Sequence, residues 1–159
     1  MDANSQVDAD SLPAAGQSAA GSQGASFLTK AMKGDNSEVK LGKLAVSQAA
    51  GQRVRDFGRM LADDHSKAKA QVAALATSLG VAVTDEPSDR ANIEYEKLKE
   101  LSGSQFDKEF VSYMIEDHRA DIEAFENEAS SDDPPIVKHM AANTLPTLKK
   151  HLEKAQSLR

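Results

Sequence analysis

From Ser26 onward, apolar residues return every three or four positions, the spacing that gathers them along one side of a helix. Only Val81-Ala82-Val83-Thr84 looks like a strand. The pattern therefore predicts an all-α fold. Turn and capping residues interrupt it at Ala50-Gly51, from Gly80 to Pro87, at Ser102-Gly103-Ser104 and from Ser131 to Pro135. The intervals predict five helices, over 26–49, 52–79, 88–101, 105–130 and 135–157. Four are long and amphipathic, as a four-helix bundle requires. The short one falls in the connection between the second and third bundle helices, the long link that some bundles need. Pro146 predicts a kink in the last helix, because it removes a backbone donor and crowds the preceding turn.

Before Ser26 the pattern fails. Residues 1–25 are Ala, Ser, Gly, Gln and Asp, with Val7 and Leu12 nearly alone as apolar residues, which predicts a disordered N-terminal tail or spacer. The bundle domain is expected over 26–159, and a chain of 159 residues is the size of one domain. No charged-then-apolar secretion signal precedes the tail. The expectation is either a cytoplasmic chain or one whose signal segment lies outside this sequence.

Composition changes the picture more for partners than for fold. The chain has 19 Lys and Arg against 25 Asp and Glu, a net charge of −6, and Asp2, Asp8 and Asp10 place half of that in the tail. A nearly balanced bundle without a basic, aromatic-interleaved patch is not built to neutralise phosphates, so nucleic acid is excluded as a partner. No apolar run approaches the ~20 residues of a membrane-spanning helix. With no cysteine, disulfides, thiol catalysis and cysteine-ligated zinc are excluded.

Four ionisable residues stand where apolar ones belong. At ~100° per residue, Glu38 falls among Phe27, Ala31, Gly34, Leu41 and Ala45 on the first helix. His65 borders the stripe Val54, Phe57, Leu61, Val72 and Leu75 on the second, and His118 projects from Phe110, Val111, Met114, Ile115 and Ile122 on the fourth. His151 shares a face with Val137, Met140, Leu148 and Leu152 on the last, whereas His139 points to solvent. At ~1.5 Å per residue, Glu38 and His65 lie ~18 and ~20 Å from their common turn, so they are level. His118 and His151 lie ~18 and ~24 Å from theirs, a mismatch of ~6 Å.

Neutral imidazoles and a carboxylate inside a bundle are the ligand set of one transition-metal ion: iron, zinc, manganese or copper. Asp64 and Asp117, each just before a histidine, are either supports of the ligands or alternative ligands. Met114, one turn before His118, with Met60 and Met140 near their stripes, would soften such a site towards copper; the same residues also read as core filler. The alternative to a metal is a polar network in which Glu38 pairs with the histidines and fixes helix register. Catalysis has less support, since there is no Gly-x-Ser-x-Gly elbow and no Gly-rich phosphate loop.

The run Phe27-Leu-Thr-Lys-Ala through Gly34, Glu38 and Leu41-Gly-Lys-Leu-Ala resembles the bacterial "domain of unknown function 4142" family. The likeness continues through Val54-Arg-Asp-Phe-Gly-Arg-Met60, Asp64-His65, Phe106-Asp107, Tyr113, His118 and Leu145-Pro-Thr-Leu-Lys-Lys-His-Leu152. It implies a ferritin-like four-helix bundle exported to the periplasm or outer envelope, with Glu38, His65, His118 and His151 at the family's recurring polar positions. It implies no activity. The Glu-x-x-His pairs of ferritin-like di-iron enzymes are missing, because Ala62 and Leu148 stand three residues before His65 and His151. The expected role is envelope upkeep or stress tolerance with a His/Glu metal site. The alternatives are a metal-dependent redox or peroxide-detoxifying protein, and a metal-free module that docks an envelope partner.

Overall fold

The computed structural model describes residues 18–159. They form five helices: α1 (Gly21–Gln48), α2 (Gln52–Ser78), α3 (Asp89–Lys99), α4 (Gly103–Ala129) and α5 (Pro135–Gln156). Most helix ends fall within two residues of the spans predicted by the apolar pattern. The exception is α1, which begins at Gly21 rather than at residue 26. The expected tail therefore loses its last residues to the bundle, and its residues 1–17 lie outside those described. Val81 to Thr84 is irregular, and there is no strand among the described residues.

Local chemistry explains the boundaries. Gly80, at φ 74°, ends α2 in a left-handed conformation that costs glycine little. The turn is closed by Val81 N–H donating to Ala76 O at 2.8 Å and Gly80 N–H to Thr77 O at 3.2 Å, the paired bonds of a Schellman motif. Ser88 caps α3 by accepting from Ala91 N–H at 3.1 Å, with Asp89 in the first turn and Lys97 and Lys99 in the last, as the helix dipole favours. Pro135 occupies the first turn of α5, where its missing N–H costs nothing, and the helix runs unbroken through Pro146.

α1 and α2 form one antiparallel hairpin and α4 and α5 another. Gly42 and Gly58 bring the first pair close: a Cβ on Gly42 would lie 2.6 Å from Gly58 O, and one on Gly58 2.7 Å from Gly42 O. Asp107, at the start of α4, accepts the N–H groups of Ala50 and Gly51 at 2.9 and 2.7 Å. That clamp puts the start of α4 beside the α1–α2 turn, while Phe27 packs edge-on to Phe125 at the other end, 4.9 Å between ring centroids. Hence α4 runs parallel to α2 and antiparallel to α1. The connection must travel the length of the bundle, and α3 completes it along the second half of α1, from Ser37 beside Ser88 to Gln48, whose Nε2 donates to Leu98 O and Leu101 O. Up-down-down-up order with one long crossover is the ferritin-like topology.

The interior is two apolar clusters. Leu41, Phe57, Leu61, Phe106, Phe110 and Met114 fill the end near the α1–α2 turn. Phe27, Leu28, Met32, Val72, Val137 and Ala141 fill the opposite end. Between them lies a belt of buried polar side chains.

Candidate functional site

The belt brings three of the four predicted residues together. His65 is 4% exposed, and His118 and His151 are fully buried. Their ring centroids are 6.0 Å (His65–His118), 5.2 Å (His65–His151) and 5.3 Å (His118–His151) apart. One ligating atom from each lies within 4.8 Å of the other two. The shortfall expected for His151 from its axial position is thus made up within the packed bundle.

The outer hydrogen bonds decide which nitrogens are free. His65 Nδ1 lies 2.8 Å from Asp35 Oδ1, so it carries the proton and donates it to the carboxylate, leaving a bare Nε2 without a partner. His118 Nδ1 donates to Met114 O at 2.9 Å, which leaves its Nε2 bare. His151 Nε2 donates to Asp64 Oδ2 at 2.9 Å, which leaves its Nδ1 bare. His118 Nε2 and His151 Nδ1 then face each other at 3.3 Å. A shared proton would require one ring to be charged, and the surroundings oppose this. Burial, reinforced by His65 and His151, pulls His118 down to about 3. Burial also lowers His151 against the opposing pull of Asp64. One nitrogen from each ring is thus gathered into one small volume. Two imidazole nitrogens bound to one tetrahedral ion at ~2.0–2.1 Å would be ~3.3 Å apart.

Glu38 is not part of this triad. Its carboxylate lies on the other side of His118, with Oε1 3.7 Å from Nδ1, the ring nitrogen already engaged by Met114 O. There it joins Asp117 and Asp121 of α4, with one oxygen from each within 4.8 Å of the others. Burial first and Asp117 second push the Glu38 carboxyl well above its ordinary range. The same two causes raise Asp121 to about 8, with Arg90 pulling the other way.

The remaining predicted residues divide. Asp64 anchors His151 from the neighbouring helix, whereas Asp117 touches no imidazole and instead accepts from Arg90 at 3.2 Å. Met114 serves His118 through its backbone carbonyl, with its side chain in the apolar cluster towards the α1–α2 turn. Met60 packs against that same cluster and Met140 against the opposite one, while His139 is exposed. Asp35 and Asp121 are functional candidates that helical-face reasoning passed over. Their signal was spacing: Asp35 stands three residues before Glu38, and Asp121 four after Asp117, so each shares a helix face with an acid already singled out.

Two clefts flank the belt. Asp64, with Lys67, Gln71, Asn143, Thr144 and Lys150, lines a hollow of about 360 Å³ between α2 and α5, on the histidine side. Arg90, Glu94, Lys97, Glu109, Tyr113 and Glu116 line another of about 650 Å³ between α3 and α4, on the carboxylate side.

A helical bundle with a buried, inward-facing set of histidines and acids is the class that fold and site define. The chain belongs to the family Domain of unknown function (DUF4142), whose profile matches residues 9–158. Its fold is similar to a DUF305 fragment from Deinococcus radiodurans, with a TM-score of 0.76 at 16% identity over 87% of this chain and 96% of that one. It is also similar to a DUF305 protein from Streptomyces coelicolor described as a candidate secreted protein. There the TM-score is 0.70 at 15% identity, over 85% of this chain and 89% of that one. No curated protein matches the chain in sequence. No helix among the described residues is long and apolar enough to cross a membrane.

Proposed function

We propose that this protein binds one transition-metal ion through His65 Nε2, His118 Nε2 and His151 Nδ1, and that it acts as a metal-binding protein of the bacterial envelope. The observation that carries the reading is the convergence of three bare ring nitrogens, each left bare because the opposite nitrogen of its ring is engaged by Asp35, Met114 O or Asp64. Partners of this kind fix the tautomer and orientation of metal-bound histidines and raise their basicity. Three neutral imidazoles suit zinc, copper or iron(II), whereas manganese favours oxygen donors. Envelope location is supported by the family resemblance and by the candidate secreted relative, and extends the role towards envelope upkeep or stress tolerance.

The test is titration of metal-stripped protein with Co²⁺ and Zn²⁺. One equivalent of Co²⁺ is expected to give the visible absorption of a low-coordinate nitrogen site, to be displaced by Zn²⁺, and to vanish in His151→Ala. A silent titration, or a spectrum indifferent to that substitution, removes the reading. Cell fractionation tests the location separately.

A further inference from the structure

We propose that Glu38, Asp117 and Asp121 form a second cation site, distinct from the histidine triad, that takes a hard, oxygen-preferring divalent cation. Three carboxylates from two helices place one oxygen each within 4.8 Å of the others. Asp117 and Asp121 are one turn apart on α4, and Glu38 faces them from α1. An acidic group at the surface would need no explanation, but this one includes a side chain that is 1% exposed. Neither oxygen of Glu38 has a hydrogen-bond partner.

A buried carboxylate without a donor is costly, and such groups are normally paired or coordinated to a metal. Among the described residues, the one basic side chain that reaches the group is Arg90, and it binds only the outer member, with Nη1 3.2 Å from Asp117 Oδ1. Glu38 and Asp121 make no ion pair with lysine or arginine among those residues. Arg90 meets the cluster from its outer side, and the two inner oxygens of Glu38 are left for a divalent ion. The donors are all oxygen, which selects Mn²⁺, Mg²⁺ or Ca²⁺ over the softer ions suited to imidazole. His118 separates the two clusters: it offers Nε2 to the triad, while its Nδ1 side faces Glu38. Arg90 sits over the Tyr113 ring at 4.8 Å, at the edge of the α3–α4 cleft.

Mn²⁺, followed by electron paramagnetic resonance and calorimetry, is the probe. Protein whose triad is saturated with Zn²⁺ is expected to bind one further Mn²⁺, and His151→Ala is expected to keep that binding. Asp121→Asn, an isosteric change at a partly buried position, is expected to weaken Mn²⁺ at least tenfold and leave the Co²⁺ spectrum of the triad unchanged. Glu38→Gln is expected to do the same where it folds. The proposal is overturned if Mn²⁺ does not bind, or if Asp121→Asn leaves its affinity intact. Loss of the Co²⁺ signal in the parent protein with Mn²⁺ binding retained would sink the triad and leave this site standing.

Discussion

The two sides of His118 contrast in how their polar atoms are satisfied. On the triad side every imidazole has its outer nitrogen engaged, by two carboxylates and one carbonyl, so the rings are held in position. On the acid side the most deeply buried carboxylate, Glu38, has no donor at all. The triad draws its imidazoles from α2, α4 and α5 and the acids come from α1 and α4, yet both sit between the same apolar clusters. The difference teaches that burial alone does not define a binding site; what matters is whether the partners orient the donors or leave them in mutual opposition. An oriented set waits for a ligand at low reorganisation cost, whereas an opposed set must first be neutralised by a proton or a cation.

The largest effect expected is from His118→Ala, which removes the ring shared by both sides. It should abolish Co²⁺ binding at the triad and lower stability by ~2–5 kcal/mol, the usual range for emptying a fully buried site, as read by urea denaturation. A variant that retained Co²⁺ would break the contrast outright. Next is Gly58→Ala. Its Cβ would meet Gly42 O at 2.7 Å and Ala45 Cβ at 2.8 Å, forcing α1 away from α2 and Asp35 away from His65. Overpacking of this kind typically costs ~1–3 kcal/mol, and the melting temperature should fall together with metal affinity.

Asp64→Asn tests the outer bonds without disturbing the core. It should weaken the triad's metal ~10–100-fold, as for other partners of metal-bound histidine, with little change in melting temperature of the metal-free protein. Equal affinity for parent and variant would mean that the outer partner orients nothing.

The smallest effect concerns pH. Glu94 on α3 is raised to about 7 by burial first and by Glu109 of α4 second, with Lys97 and Arg90 pulling it down. Between pH 4.5 and 7 the folded protein keeps a proton on Glu94 that the unfolded chain has already released, so stability falls as pH rises through that window. Glu94→Gln should remove this part of the slope, shown by comparing urea midpoints of parent and variant at pH 5 and 7.5. A slope unchanged by the substitution would place the proton elsewhere.

Most of the helical plan was legible, because period-3.6 burial of residues such as Phe57, Leu61, Phe110 and Met114 is a strong constraint on where helices lie. The early start of α1 was not, since Gly21-Ser-Gln-Gly-Ala is a poor helix former in isolation. It is held as helix by tertiary contacts: Ala20, its N-cap, is buried in the apolar cluster with Val81, and Ala19 N–H donates to Leu79 O at 2.9 Å. The direction of α4 was hidden as well: His65 and His118 both lie mid-helix, and the answer rests on the Asp107 clamp and on the connection returning along α1 to Gln48. For the site, position on an apolar face identified the three histidines correctly as inward-facing. The same reasoning drew Glu38 inward but was blind to which side of His118 it takes, because helical angle fixes a direction and not a neighbour. Asp35 and Asp121 escaped notice because each sits at the flank of its stripe, where charge is ordinary.

One consequence of the crossover concerns assembly. The first hairpin brings Asp35, Glu38, Asp64 and His65, and the second brings Asp117, His118, Asp121 and His151. Neither half possesses a complete set of donors for either cluster. An ion held at either place is thus a rivet between two separately knitted pieces. Its free concentration relative to its dissociation constant sets how firmly they stay joined, and a chain nicked between residues 79 and 88 would reunite more readily with the ion than without it.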